Sequence, residues 1–411
     1  MSPTSSVIEY ANVWGRLLNI LAVKAYGESE FWLSSGKVVL IFILFFFTFV
    51  TMVGGNPQHD AYGFRYWNTP GSFAEHRTTG SLGRFEGFLG SLWSASFTCV
   101  GPEYVSMVAA EAKYPRTYIK AAFNMVYVRF VVFFVGGALC CGIVVAYNDA
   151  SLVEAVTGSS TGAGASSAAA SPYVIAMRNM EITALPHLIN ALLVTTIFSA
   201  GNTYTYCATR TLYGLSLDNR APALFTKCTA QGVPIYCFAV TMLFACLSFL
   251  QLSNSSANVL GWLVDLTTAA GIIDYIVMCT TFICFYHACK AQGFDRESLP
   301  YTGPFQPYCA YIGLTWMVLI VSCYGYMSFE PWDITSFFTH YTMVIVDVVL
   351  YVLWKVLKRT RIFKSQEVDL YWEAGEITAY EEALALREPV RTFWGEVFSF
   401  LPKKKRTVQD V

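Results

Sequence analysis

Long stretches without one charged side chain recur along this sequence, and they limit its possible folds more than any other feature. Val38–Gly54 is uncharged, and so is the whole of Cys228–Val264. A bilayer core about 30 Å thick needs roughly 20 apolar residues per helix. The second stretch therefore holds two spans, with a turn near Ser253-Asn254-Ser255-Ser256. Spans are predicted at Val38–Gly54, Gly87–Ala110, Phe130–Tyr147, Ile182–Thr209, Ile235–Leu252, Val259–Phe285, Tyr311–Met327 and Phe337–Leu353. Only 13% of the 411 residues are charged and 55% are hydrophobic, whereas soluble domains carry about 25% charge. That composition excludes a disordered chain and argues against an ordinary soluble enzyme. The 27 basic and 28 acidic side chains nearly cancel, so no global charge favours nucleic acid as a partner. The fold class is an all-α polytopic membrane protein.

Catalytic and metal-binding signatures are missing. Most of the twelve cysteines fall inside or at the ends of apolar runs, with no CxxC pair or Cys/His cluster, and read as small apolar packers. The histidines His59, His76, His187, His287 and His340 are scattered, and no GxSxG, P-loop or GxGxxG element is present. No catalytic residue, metal site or cofactor is assigned, and the chain is read as a non-enzyme.

The basic residues set an orientation. Segments 21–37, 111–122, 208–234, 287–304 and 355–411 hold 21 of the 27 lysines and arginines. The alternate segments hold Arg65, Arg77, Arg84 and Arg178. The positive-inside rule then places the C-terminus in the cytoplasm. Residues 56–86 become an outside loop, and so does the Ser/Gly/Ala-rich stretch 148–176, which is expected to be flexible. Residues 1–17 are polar and mixed, without the apolar core of a signal peptide. The basic clusters at 358–361 and 403–406 suit an inner-leaflet anchor. The acidic sequence between them, from Tyr380 to Phe400, has the apolar positions for short amphipathic helices used in regulation.

Chemistry concentrates at one interruption. Ser96-Phe97-Thr98-Cys99-Val100-Gly101-Pro102-Glu103 places Gly, Pro and an acid midway through an apolar run. Proline removes a backbone donor and clashes with the preceding turn. Irregular backbone persists in a membrane only where it lines a cavity or is buried in protein. Half-helix ends there offer free amides and carbonyls to a zwitterionic solute. One reading is a substrate site in a secondary transporter; the other is a proline kink with Glu103 bonded to neighbouring helices. Asp265 and Asp274 are further intramembrane charges, as is Asp347, and such charges are functional by default. Nine residues at about 100° each turn Asp265 and Asp274 to opposite faces, so they do not form one site. Gly136, Gly137 and Gly142 suit close helix packing, and Arg129 suits a snorkelling cation at a helix end.

The sequence closely resembles the fungal amino-acid permeases of the amino acid–polyamine–cation transporter superfamily. The matching blocks begin with Tyr26-Gly27-Glu28-Ser29-Glu30-Phe31-Trp32, Gly63-Phe64-Arg65-Tyr66-Trp67 and Gly101-Pro102-Glu103. They continue through Ala109-Ala110-Glu111-Ala112, Ser199-Ala200-Gly201-Asn202 and Arg210-Thr211-Leu212-Tyr213-Gly214-Leu215 to Glu367-Val368-Asp369-Leu370 in the tail. The resemblance implies the five-plus-five inverted-repeat fold, with this chain matching helices 5–12 of a twelve-helix permease. Leu18–Ala22 match only the end of the fourth helix. Residues 1–33 then form an N-terminal segment, 34–357 the transmembrane domain and 358–411 a cytoplasmic tail.

It also implies substrate contacts at Phe97, Thr98, Cys99, Val100 and Gly101, with Phe97 as an aromatic that closes over a bound amino acid. Glu103, Asp265 and Asp274 are the candidate proton-coupling residues. The implied function is proton-coupled amino-acid uptake by a multi-pass plasma-membrane protein, whose partners are the amino acid, protons and the lipid bilayer. Because the first family helices are unmatched, the chain is expected to transport poorly by itself. The alternative is a non-transporting sensor or regulatory partner of a full-length permease.

Overall fold

The computed structural model describes residues 23–76, 78–157, 171–247, 257–329 and 332–387. Leu18–Ala22, residues 1–17, the turn at 253–256, the part 388–400 of the acidic tail sequence and the basic cluster 403–406 lie outside the described residues. Among the described residues the secondary structure is helical and contains no β-strand. In chain order the helices are α1 (Val23–Met52), α2 (Ser81–Cys99), α3 (Tyr104–Met107) and α4 (Pro115–Val144), followed by α5 (Ala150–Thr157) and α6 (Pro172–Asn179). Then come α7 (Leu185–Leu217), α8 (Ile235–Ala245), α9 (Ala257–Gln292), α10 (Tyr308–Cys323), α11 (Ile334–Lys358) and α12 (Ala374–Ala385).

Each predicted span overlaps one of these helices among the described residues, but the bounds differ: α2 and α8 stop short of the predicted ends, and others run past the apolar stretches that revealed them. The clearest case is α4, expected from Phe130 and continuous from Pro115 through a π-helical turn at Phe130–Val135. Arg129 is thus inside a helix rather than at its end. Once nucleated, a helix gains a hydrogen bond with each added residue, whatever the polarity of the side chain. Five helical segments among the described residues are long and apolar enough to cross a membrane: Gly27–Met52, Pro115–Val144, Trp262–Gln292, Tyr308–Tyr326 and Ile334–Lys358. The other three fall short for visible reasons. α2 carries Arg84, Glu86 and several glycines and serines, α7 carries polar side chains, and α8 ends close to residue 247, where the described segment stops.

The described chain divides into two compact units. One takes the residues through Leu92 together with Tyr127–Gly261; the other takes Trp93–Val126 and the chain from Trp262 onward. In the first unit, Leu40, Leu44 and Phe47 form one stripe of α1 and join a core with Val144, Val174, Met177 and Ile189. Gly136 lets α4 approach closely, because a Cβ there would meet Phe45 Cζ at 3.1 Å. Residues 158–170 of the stretch expected to be a flexible outside loop lie outside the described residues, but its C-terminal end belongs to this core. Val174, Ala176 and Met177 of α6 are 0% exposed. Its Ser/Gly/Ala content conceals a short apolar run, of which Val174–Met177 is helical and buried. In the second unit, Trp93, Ala269, Ile272 and Ile320 form a separate core.

Candidate functional site

The interruption predicted in the second apolar run is a true helix break within the second unit. α2 ends at Cys99, and Gly101 takes φ +137°. That conformation lies outside what an L side chain adopts readily, so glycine is required there by backbone geometry. No atom lies within 4 Å of where its Cβ would be, so space is not the constraint. The chain restarts through tight turns, Tyr104 N–H donating to Gly101 O (3.1 Å) and Ser106 N–H to Glu103 O (3.0 Å). α3 follows.

Glu103 is the acid at this break, and it is only 6% exposed. Its Oε2 accepts the Gly101 backbone N–H at 2.9 Å and lies 2.6 Å from the Tyr275 hydroxyl. The same hydroxyl is 2.9 Å from the carbonyl oxygen of Cys99. A phenol has one hydrogen, so it satisfies these two acceptors one at a time. With Glu103 ionised, Tyr275 donates to the carboxylate. With Glu103 protonated, the acid donates to Tyr275 and the phenol turns to the Cys99 carbonyl. The phenol thus stands between the carboxyl of Glu103 and the last carbonyl of α2.

α9 supplies the other wall. A Cβ on Gly271 would meet Val100 Cγ2 at 2.6 Å, so glycine lets the unwound strand press against this helix. Gly271 and Tyr275 are four residues apart and share a face. Sequence reasoning missed both. A tyrosine among aromatics carries no signal by itself, and α9 held glycine where only a close approach explains it.

Of the predicted site residues, Asp265 stands apart from the rest. Thr98 is exposed, with its hydroxyl donating to Ala95 O at 2.7 Å. Phe97 occupies the last turn of α2, and its side chain lies outside the described residues. Asp265 is not at the break. Its Oδ1 accepts from Trp93 Nε1–H (3.1 Å) and from the Tyr324 hydroxyl (3.2 Å). The Trp93 and Tyr324 rings stack 3.4 Å apart, and His340 packs 4.3 Å from Tyr324. Asp274 is exposed, with its carboxylate near enough to Glu103 for the two to repel; Asp347 is also exposed. Asp265 and Asp274 thus differ in environment, as their angular separation on one helix requires.

A second polar cluster lies in the first unit. Lys37 Nζ donates to Ser199 Oγ at 2.6 Å and sits 3.5 Å from Glu30 Oε1, while Ser199 donates to that same carboxylate oxygen. Ser199 is 0% exposed. Glu30 and Lys37, seven residues apart, lie on one face of α1 two turns from each other.

Residues 13–366 match the family profile described as Amino acid permease. The chain is 45% identical over 374 residues to the General amino acid permease AGP2 of Saccharomyces cerevisiae, covering 89% of this chain and 62% of that protein. It is 36% identical over 358 residues to the Dicarboxylic amino acid permease of the same yeast, covering 86% and 58%. It is 35% identical over 385 residues to the Probable proline-specific permease put4 of Schizosaccharomyces pombe, covering 92% and 69%. The chain spans less than two thirds of the length of either Saccharomyces protein. No solved structure matches it.

Proposed function

Since the chain belongs to the amino acid permease family, we propose that it serves proton-coupled movement of an amino acid across the plasma membrane, with the break at Val100–Glu103 as its substrate-facing element. The observation carrying this reading is the shared phenol. Tyr275 stands between the carboxyl of Glu103 and the terminal carbonyl of α2, at 2.6 and 2.9 Å. The C-terminal end of a helix carries about half a negative charge, which suits the ammonium of an amino acid. In this reading, the proton on Glu103 sets which acceptor, the carboxyl or Cys99 O, the Tyr275 hydrogen serves. The backbone from Phe97 to Gly101 forms the substrate contact, and Glu103 carries the proton. Asp265, held by two donors away from the break, positions α2 instead. The relatives are named for general, dicarboxylic and proline transport, so their names do not fix a side-chain class for this chain.

Uptake of labelled neutral, acidic and proline substrates in a permease-deficient host tests the reading. Wild-type uptake is expected to rise as external pH falls. Glu103→Gln, which keeps an acceptor but cannot ionise, is expected to flatten that dependence. A membrane-inserted wild-type chain that carries none of these substrates would overturn the transport reading, and an unchanged pH profile in Glu103→Gln would remove Glu103 from proton coupling.

A further inference from the structure

The tail that follows α11 folds back onto the second unit at two points. At the first, Arg116, in the opening turn of α4, meets one stripe of α12. Its guanidinium donates to Thr378 Oγ1 (2.9 Å) and to Ala374 O (3.0 Å) and lies 3.8 Å from Glu381 Oε2. Its backbone N–H donates to Glu381 Oε1 at 3.2 Å. The first amides of a helix have no partner within it, and a carboxylate there is favoured by the helix dipole. Glu381 thus caps α4 from a distant part of the chain. Residues 374, 378 and 381 follow the i, i+4, i+7 spacing of a single helix face. At the second point, Gln292 at the end of α9 donates to Ser365 O (3.0 Å) and Val368 O (2.7 Å). Phe294 packs edge-on against Tyr371 at 5.5 Å.

These two anchorages are joined by the short stretch between Val368 and Ala374, so the tail bridges the end of α9 and the start of α4. The start of α4 is also where the chain arrives from the break, through residues 104–115. We infer that Arg116 and Gln292 form a docking surface for the chain's own residues 365–381, and that docking holds segment 104–116 against movement relative to α9. The occupant is a segment of this chain, chosen by charge and by the matching helix face. The polar contacts at Arg116 are partly exposed, the guanidinium 33% and the Glu381 carboxylate 18%. Contacts of that kind are weak in water, so the strap is releasable. Its consequence for transport rate rests on the reading of the break as the moving element; the restraint itself does not.

Hydrogen–deuterium exchange on the full chain in lipid nanodiscs separates the two. Glu381→Lys is expected to speed exchange in α12 and in residues 104–116 by about fivefold to thirtyfold, the factor that one or two kcal/mol represents. Gln292→Ala, which touches only the second anchorage, is expected to act in the same direction. Glu381→Gln, which keeps an acceptor, should act less than Glu381→Lys. Peptides from α1 and α7 report folding and should stay at wild-type rates; if they change in Glu381→Lys, the comparison passes to Glu381→Gln and Thr378→Val. Faster exchange in α12 with residues 104–116 unchanged in every variant would overturn the restraint, and so would unchanged exchange in both segments. Exchange needs no transport, so a chain that carries no amino acid but shows the coupled response retains the strap and loses the transport reading.

Discussion

Gly101 shows how a single position sets the local geometry. Its φ of +137° leaves no role for any other residue, even though the space for a Cβ is open. Gly101→Ala is expected to destabilise the protein by about 1–3 kcal/mol through backbone strain alone. Thermal unfolding in detergent measures this, and an unchanged midpoint would show that the break relaxes freely. Asp265 poses a different question at the same scale, because a positioning acceptor and a proton carrier respond oppositely to amidation. Asp265→Asn keeps an oxygen for Trp93 and Tyr324, whereas Asp265→Ala leaves two buried donors unpaired, costing about 1–3 kcal/mol each. Stability and uptake are expected to survive in Asn and fall in Ala. Loss of the pH response in Asn with stability intact would restore the proton-carrying role.

Among the elements, α11 starts on a cap that the sequence supplies locally. Asp333 accepts the Thr335 and Ser336 amides at 3.0 and 3.3 Å and the Ser336 hydroxyl at 2.5 Å. The Ser336 hydroxyl, followed by the Thr335 amide, holds its carboxyl below the ordinary value of 3.8. A depressed folded value means that the cap stabilises above the unfolded pKa and loses that contribution as pH falls through the folded one. Thermal scans below about pH 4 are expected to show the wild type losing its advantage over Asp333→Ala, with the gap constant above that range. The same helix has an apolar surface with little partner in the protein; none of its most apolar window is buried. For a lipid-facing helix that is the expected state, whereas α6 is short and buried because it packs on protein.

Across the whole molecule, stability is drawn from pieces that hydropathy ranks low. The core of the first unit depends on α6, eight residues within a polar stretch, as much as on the long helices beside it. Met177→Ala removes a fully buried side chain there and is expected to cost about 2–5 kcal/mol. A shift in thermal midpoint no larger than that of an exposed change such as Leu350→Ala would contradict this. In the second unit the tail plays a comparable part, joining the end of α9 to the start of α4 although it is mostly polar and exposed.

The membrane-spanning character, the helices over the long apolar runs and the break at Gly101-Pro102-Glu103 were all legible in the sequence. Each rests on a local cause: a run of apolar side chains must leave water, and Gly-Pro cannot continue a helix. The candidate site was legible only in its broken backbone. Tyr275 lies in a different helix from Glu103, and no periodicity links positions so far apart in the chain. Spacing set Asp265 and Asp274 on opposite faces of one helix, but it did not show which of them has partners. Packing separated them, giving one two donors from other elements and leaving the other exposed. Composition likewise described α6 as loop and the tail as a leaflet anchor with short amphipathic helices. Their partners, Ile189 for one and Arg116 for the other, come from distant sequence, so only the tertiary fold decided what they cover.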